Sequence, residues 1–315
     1  MSQLTTIEWT DVSWNPTHGC SRVSTGCKHC YAETLSLRYG QTSAPWTARN
    51  AEQNVMLKPH KLREPLSKAG PWKNPCRVFV NSMSDLFHEQ IPDDYIAQVF
   101  ATMGKATQHT FQVLTKRPER AQCLLSDSRF VRDVLGYAFP YRLNDAGLWP
   151  LRNCWLGVSI ENRKWVGRAD VLRDTSAAVR FISAEPLLGP LVKDGGDIYP
   201  PGVAPPPDAT LPGDVWADGY GGAELNLRGI DWLIVGGESG PKHRPFDPQW
   251  ARDLRDACAE SGTAYFLKQM GGARPGTALE DLPEDLRIRE YPTPGEEYPT
   301  PGEGPTPAQT TKEAP

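Results

Sequence analysis

The feature that most constrains the fold of this chain is a regular alternation of short apolar segments with amphipathic ones. Seven segments are short, rich in β-forming residues and almost entirely apolar, which is typical of parallel strands covered on both faces. They are residues 12–14, 77–81, 110–115, 155–160, 179–183, 232–235 and 264–267. Strands that alternate with helices form right-handed βαβ units, and six or seven units favour a barrel over an open doubly wound sheet. The sequence therefore predicts an α/β fold, a full or partial (β/α) TIM-like barrel with parallel strands.

Helix signals lie between these strands. Apolar residues between positions 96 and 103 recur at intervals of three and four, and Asp93 and Asp94 precede them where acidic side chains complement a helix N-terminus. Asp247 followed by Pro248 predicts the N-cap and first residue of a helix that continues to about residue 261.

The length of the chain, 315 residues, suits one barrel-sized domain. We predict that residues 1–289 form it, with an insertion loop rich in Gly and Pro at about residues 193–229. Residues 290–315 contain the hexapeptide Tyr-Pro-Thr-Pro-Gly-Glu twice and are too polar to bury a core. They are predicted to form a disordered, acidic, proline-rich tail.

Charge and hydropathy restrict the partners. The formal net charge is −4, and the tail holds five Glu against one Lys, so the rest of the chain is neutral overall. Contact with nucleic acid would therefore need a local basic patch. Mean hydropathy is −0.50, no apolar run approaches the roughly 20 residues of a membrane span, and the first ten residues contain no basic and apolar leader. We expect a cytoplasmic protein with no membrane partner.

Polar residues follow most of the predicted strands directly. These strand ends are residues 81–85, 115–117, 159–162, 183–186, 236–239 and 268–269. Because functional side chains of α/β folds gather at the C-terminal ends of parallel strands, the six loops indicate one shared pocket. The alternative interpretation is that each is an ordinary solvated loop.

The cysteines are unevenly distributed. Seven is an odd number, and three fall within eleven residues, so a disulfide framework is not indicated. The four single cysteines are predicted to be small core residues. They are Cys76, Cys123, Cys154 and Cys258.

The strongest motif is the cluster Cys20, Cys27 and Cys30, with the spacing C-x6-C-x2-C after the first predicted strand. Three thiolates can bind one metal centre and leave a coordination position open. Three interpretations remain: a zinc site completed by His18 or His29, a [4Fe–4S] cluster with one iron free, or a reduced thiol trio without metal.

With this motif and nine sequence blocks, the chain resembles the radical S-adenosylmethionine (SAM) superfamily, and most closely an uncharacterised, phage-associated family with a three-cysteine motif. The blocks are residues 14–16, 19–20, 26–27, 30–33, 82–87, 114–118, 157–161, 182–188 and 235–240. The resemblance runs from about residue 7 to residue 271. The superfamily's usual spacing is C-x3-C-x2-C, and its Gly-Gly-Glu block usually follows the second strand rather than the sixth.

The resemblance implies a barrel of the radical SAM type with two cofactors. Cys20, Cys27 and Cys30 would ligate a [4Fe–4S] cluster, and SAM would bind its free iron. Reductive cleavage of SAM would give methionine and a 5′-deoxyadenosyl radical that abstracts hydrogen from a substrate. The predicted cofactor-binding residues are Asn81, Ser82, Ser84, Asp85, Ser159, Gly236, Gly237 and Glu238.

Charged residues at the strand ends are the candidates for catalysis and substrate binding. Lys116 and Glu185 are predicted to be catalytic. Lys116 and Arg117 carry charges that pair with a carboxylate or a phosphate, unless they form an exposed loop. Glu161 and Glu185 are candidates to hold substrate hydroxyls or amines, and Lys268 is a candidate proton donor or anion clamp.

The expected partners are an external electron donor, such as flavodoxin or ferredoxin, and a substrate that is a small molecule, a nucleotide or a DNA base. If the chain is phage-encoded, its compartment is the host cytoplasm. The alternative function is a zinc- or Fe–S-stabilised nucleic-acid-binding module without catalysis. Its candidate contacts are Lys116, Arg117, Arg120, Trp46, Trp72 and Tyr95.

Overall fold

The central element of the fold is an eight-stranded sheet in which seven neighbouring strands are parallel. The computed structural model describes residues 3–141, 146–192 and 224–293. The strands are β1 (Gln3–Leu4), β2 (Val12–Trp14), β3 (Thr17–His18), β4 (Met56–Leu57), β5 (Arg77–Val80), β6 (Thr110–Thr115), β7 (Cys154–Ser159), β8 (Val179–Ala184), β9 (Trp232–Gly236) and β10 (Ala264–Gln269). The helices are α1 (Tyr31–Arg38), α2 (Ala51–Asn54), α3 (Asp93–Lys105), α4 (Pro118–Ser126), α5 (Ser128–Ala138), α6 (Gly167–Arg173) and α7 (Pro248–Ser261).

The order of the strands in the sheet follows their order in the chain, β1-β2-β5-β6-β7-β8-β9-β10. Only β1 runs antiparallel to its neighbour, while β3 and β4 form a separate two-stranded antiparallel ribbon. In a doubly wound sheet the order of the strands reverses at a switch point. In a (β/α) barrel, by contrast, strands that follow one another in the chain are neighbours throughout the sheet. Since β1 and β10 lie at the two edges, the protein is a partial (β/α) barrel, as the sequence predicted.

All seven predicted strands are confirmed, with ends that differ by at most two residues. Every residue of β7 and β9 is buried, which agrees with apolar runs covered on both faces. The two predicted helices are also confirmed as α3 and α7. Asp247 caps α7 by accepting a hydrogen bond from the backbone N–H of Gln249 at 2.8 Å.

Aromatic side chains fill the inner side of the partial barrel. One buried cluster consists of strand residues and Trp9, whereas the larger core cluster joins the other side of the strands to the helices. The members of the inner cluster are Trp9, Phe79, Trp155, Val179, Phe181, Trp232, Ile234 and Phe266. Gly157 makes room for it, because a Cβ there would lie 2.4 Å from the ring of Phe181. The barrel interior is therefore packed, and the polar residues follow at the strand ends.

The cysteine predictions outside the cluster are confirmed in part. Cys154 and Cys258 are buried, as expected, and Cys76 is half-buried. Cys123 is exposed on α4, so its prediction as a core residue is wrong.

Most of the predicted insertion and tail lies outside the described residues, since these end at 192, resume at 224 and stop at 293. Within the described ranges, no helix combines the length and the apolar character needed to cross a bilayer.

Candidate functional site

The clustered cysteines lie on the segment between β3 and the first turn of α1, which we call the cysteine loop (residues 19–30). The backbone N–H of Gly19 donates to the carbonyl of Met83 at 3.0 Å, and Tyr31 Oη donates to the carbonyl of Ser82 at 2.7 Å. Both acceptors follow β5, so the start of the loop and the residue after it are attached to the C-terminal end of that strand. The loop therefore lies where a barrel places functional residues.

The three thiols of the loop influence one another. Burial raises the pKa of Cys20 to about 12, and a negative charge on Cys27 adds to that rise. Burial also raises the pKa of Cys30, with Cys27 again contributing, while backbone N–H groups of Glu33 and Ala32 oppose the rise. These N–H groups belong to the first turn of α1. Cys30 therefore lies at the N-terminus of that helix, a position that favours a thiolate. Among the described residues, no three His, Cys, Asp or Glu side chains are grouped to hold a single metal ion.

Arg117, which follows β6, lies against the first of these thiols. Its side chain is 5 % exposed. Nη1 donates to Cys20 Sγ at 3.5 Å and to Asp85 Oδ2 at 3.2 Å, and Nη2 donates to the carbonyl and the hydroxyl of Ser21. Nε donates to Glu89 at 3.0 Å. The interpretation of Arg117 as part of an exposed loop is therefore wrong.

Asp85 joins the ends of β5 and β6. Its carboxylate accepts hydrogen bonds from Thr115 Oγ1 at 2.7 Å, from the backbone N–H of Lys116 at 2.9 Å and from Phe87 N at 3.0 Å. Burial alone would raise the pKa of Asp85, but Arg117 and these donors hold it below its ordinary value. This predicted cofactor ligand is thus bound to partners within the chain.

Glu161, which follows β7, attaches the middle of the cysteine loop to the barrel. Its side chain is fully buried and accepts from Ser24 Oγ at 2.6 Å, Lys116 Nζ at 3.0 Å and Arg168 Nη1 at 3.3 Å. A Cβ on Gly26 would lie 2.4 Å from Glu161 Oε1, so the loop passes directly over this carboxylate. Despite burial, the two cations lower the pKa of Glu161. Glu161 thus connects the cysteine loop with the ends of β6 and β7, and its binding of substrate hydroxyls or amines stays a prediction.

Glu238, which follows β9, provides a third attachment. It accepts from Arg244 Nη2 at 2.5 Å and pairs with His29 Nδ1 at 3.1 Å. Arg244 Nη1 also donates to the carbonyl of Thr25 at 3.1 Å. Three different strand ends, those of β6, β7 and β9, therefore contact one short loop through charged side chains.

The predicted catalytic residue Glu185 has a different environment. It follows β8 and pairs with Lys268 on β10, and the side chains are 19 % and 15 % exposed. Gly236 packs against it, since a Cβ there would lie 3.3 Å from Glu185 Cδ. This pair is more accessible than Glu161, so it is better placed to meet a ligand.

The remaining predicted cofactor-binding residues also lie at the strand ends. Asn81 is buried, and its Nδ2 donates to Thr17 Oγ1 at 2.9 Å while its Oδ1 has no partner among the described residues. The hydroxyls of Ser82 and Ser84 bond to Asn15 and Thr17.

Ser159 and Gly237 are likewise in contact with other strand-end residues. The carbonyl of Ser159 accepts from Arg168 at 2.7 Å. Gly237 packs so tightly on the loop after β10 that a Cβ would lie 2.3 Å from the backbone nitrogen of Gly271.

Sequence reasoning missed Arg168 and Arg244. Each lies six or seven residues after the carboxylate that it contacts, Glu161 or Glu238. The signal that could have found them is this short spacing between an acidic strand end and the next arginine.

The aromatic residues of the nucleic-acid alternative are not available for stacking on bases. Trp46, Trp72 and Tyr95 are 3 %, 5 % and 6 % exposed. Arg120 donates to the carbonyls of His88 and Ile91. The assignment of the three aromatic side chains to a binding surface is therefore wrong.

A buried histidine beside the cysteine loop should make stability depend on pH. His88 bonds to Ser21 Oγ through Nε2 at 2.8 Å, and burial together with Arg117 lowers its pKa to about 4. Between about pH 6.5 and pH 4 the unfolded chain is protonated at this residue and the folded chain is not, so the free energy of unfolding falls as the pH falls. We expect a loss of about 1.5 kcal/mol from His88 between pH 6.5 and pH 5, measured by urea denaturation.

The variant His88→Gln should show a smaller decrease over this range. His243 is exposed, so His243→Gln is the matched control and should follow the wild-type curve. Equal pH dependence in His88→Gln and the wild type would contradict the prediction.

Fold and site together define a partial (β/α) barrel protein with a three-thiol loop fixed to the C-terminal ends of its strands. The chain belongs to the family described as "Protein of unknown function (DUF5131)", whose model matches residues 4–292. The comparison with curated proteins finds no match.

Among solved structures, the chain is similar to a spore photoproduct lyase variant with bound AdoMet and dinucleoside spore photoproduct. The identity is 10 % and the TM-score 0.35, with 83 % of this chain and 64 % of that chain covered. The chain thus spans less than two thirds of the length of that structure.

Proposed function

We propose that the protein is a radical SAM enzyme, in which an iron–sulfur cluster and SAM together supply a 5′-deoxyadenosyl radical for hydrogen abstraction. The observation that carries this proposal is the cysteine loop, which lies at the C-terminal ends of the strands of a partial barrel and whose Cys20 accepts a hydrogen bond from the buried Arg117. The sequence blocks shared with the superfamily support it. We further propose a substrate that is a small molecule, a nucleotide or a DNA base, a flavodoxin or ferredoxin as electron donor, and a cytoplasmic location.

The chemistry of the donor set suits a [4Fe–4S] cluster, since cysteine thiolates are the protein ligands of such clusters. Cys20, Cys27 and Cys30 would hold it, and three thiolate ligands give such a cluster a net negative charge. Arg117 bonds to Cys20, and against the effect of burial the Glu161 carboxylate, followed by a negative charge on Cys27, raises the pKa of Lys116. Positive groups beside the sulfurs stabilise the anion and tune its electronics.

The chain also has groups suited to SAM. The unpartnered Oδ1 of Asn81 is a buried acceptor at the end of β5, and an ammonium group would satisfy it. Glu185 and Lys268, at the ends of β8 and β10, would bind polar groups of the substrate. Lys116 is committed to Glu161, and this ion pair would keep it protonated beside the cluster. The aromatic side chains of the inner cluster would exclude water from the barrel interior beneath the candidate site.

The test is anaerobic reconstitution with iron and sulfide, followed by absorption and EPR spectra with and without SAM. We expect a cluster signal that SAM changes, and methionine and 5′-deoxyadenosine after dithionite reduction. Cys27→Ala should lose the signal, whereas the matched control Cys123→Ala, at an exposed thiol outside the loop, should keep it. A fully loaded cluster that yields neither product would refute the proposal.

One observation favours a second candidate, a structural zinc site. A zinc-bound histidine usually donates its other ring nitrogen to a carboxylate, and His29 Nδ1 pairs with Glu238 in this way. His29 would then complete a Cys3His site, whereas His18 is occupied by Ser36 through Nε2. Metal analysis separates the two candidates. A colourless protein with stoichiometric zinc, and a lower zinc content in His29→Gln, would favour the zinc site. An iron content that His29→Gln leaves unchanged would favour the cluster.

A further inference from the structure

The three thiols of the cysteine loop differ in the donors that reach them. Cys20 Sγ lies 3.5 Å from the guanidinium Nη1 of Arg117. Cys27 Sγ lies 3.7 Å from the neutral hydroxyl of Ser24, and backbone N–H groups reach Cys30. Among these contacts, Cys20 alone has a hydrogen bond from a charged side chain, which is the stronger kind.

Arg117 is held in place by all five of its N–H donors. Nε is directed at Glu89, the two donors of Nη1 at Cys20 and Asp85, and the two donors of Nη2 at the carbonyl and hydroxyl of Ser21. The planar guanidinium presents its donors in a fixed fork, so these partners together fix its orientation. The hydrogen bond to Cys20 is therefore oriented by partners within the chain.

The charges around Arg117 shape its effect on the sulfur. The carboxylate of the buried Asp85 offsets part of the positive charge of Arg117. The charge of Glu89, which is largely exposed, is screened by solvent. What acts on Cys20 is then mainly a short-range, oriented N–H donor. Donors of this kind favour the more reduced, more negative state of an iron–sulfur cluster and raise its reduction potential.

We propose that Arg117 is a positioning residue that raises the reduction potential of the cluster through its hydrogen bond to Cys20. This inference rests on the proposed function, since it requires a cluster on the cysteine loop. It goes beyond that function by assigning to Arg117 an influence on the reduction potential, which determines how readily the cluster would accept an electron.

The test is a potentiometric titration followed by EPR on the reconstituted full chain. Arg117→Lys keeps a positive charge beside Asp85 but loses the fork. We expect the ratio of reduced to oxidised cluster at a fixed potential to fall about tenfold, which equals a midpoint shift of about 59 mV to more negative values for one electron. Arg120→Lys is the matched control, because Arg120 lies three residues after Arg117, in the first turn of α4, and bonds to backbone carbonyls instead of sulfur. Its midpoint should equal that of the wild type.

A second variant tests the inference in case Arg117→Lys does not fold. The double change Arg117→Met with Asp85→Asn removes the charged pair together, so no buried charge is left alone, and it should shift the midpoint in the same direction. An unchanged midpoint in either loaded variant would overturn the inference. So would failure of both variants to take up iron while Arg120→Lys does, because Arg117 would then have a structural role. Absence of a cluster in the wild type would instead refute the proposed function.

Discussion

Replacement of Gly19 by alanine should disrupt the cysteine loop. Gly19 has φ of +82°, a conformation that costs other residues about 1–2 kcal/mol. A Cβ there would also lie 1.9 Å from the carbonyl oxygen of Asn54, which is backbone at the end of α2. Overpacking of this kind typically adds about 1–3 kcal/mol. We therefore expect the free energy of unfolding to fall by about 2–5 kcal/mol.

Asn54 cannot easily move aside. It is fully buried, and its side chain donates to the carbonyls of Ala44 and Pro45. The strain in a Gly19→Ala chain should therefore be relieved by the loop, which would displace Cys20, the next residue. Iron uptake on reconstitution should fall with stability, and urea denaturation and iron analysis measure the two effects.

Gly40 provides the matched control. It also has a positive φ, +63°, but apart from its chain neighbours no described residue has an atom within 4 Å of the position that a Cβ would occupy there. Gly40→Ala should thus show the conformational cost alone, about 1–2 kcal/mol, with normal iron uptake. Equal losses in the two variants would show that the overlap with Asn54 is relieved without disturbing the site.

The strands could be predicted from the sequence because their signal is local. A run such as Trp232–Gly236 is apolar on both faces over five residues, and few other structures bury such a run in a chain of this type. The location of the candidate site was predictable for a related reason, since parallel strands bring their polar ends to the same edge of the sheet. The clustering of the cysteines then indicated the segment that we propose as the carrier of the chemistry.

The roles of individual polar residues could not be predicted in the same way. Ser24 and Glu161 are 137 positions apart, and Cys20 and Arg117 are 97 positions apart. A local pattern shows that a carboxylate follows a strand, but not whether its partner is a ligand or a distant side chain of the same protein. Asp85 illustrates this limit, because the acceptor oxygens that suit a cofactor equally suit Thr115 and Arg117.

Contacts between residues distant in the sequence also explain why charged residues at the C-terminal ends of the strands are buried instead of solvated. Single charges are almost never fully buried, so Lys116 and Arg117 gave no sequence signal for burial. Glu161 is fully buried beside Lys116, and Asp85 is buried beside Arg117, so each cation acquires its partner only when two strands are adjacent. The attachments of the cysteine loop thus depend on completed barrel packing.

Replacement of Glu161 by alanine should have a second large effect for this reason. The change leaves Lys116 and the 4 % exposed Arg168 without their carboxylate. Removal of one partner from a buried ion pair typically costs about 3–5 kcal/mol, because an uncompensated charge remains in a poorly solvated place. Ser24 also loses its acceptor, so the cysteine loop loses one of its attachments to the barrel. We expect a decrease of about 3–5 kcal/mol in the free energy of unfolding and reduced iron uptake.

Two comparisons make this result specific to the buried carboxylate. Glu161→Gln keeps acceptors for Ser24 and Lys116 but loses the charge, so its loss should be intermediate. Glu185→Ala removes a carboxylate of the same kind from its pair with Lys268, and should cost less, because Glu185 is 19 % exposed whereas Glu161 is fully buried. If urea denaturation gave equal losses for Glu161→Ala and Glu185→Ala, the buried ion pairs would not be what holds the cysteine loop on the barrel.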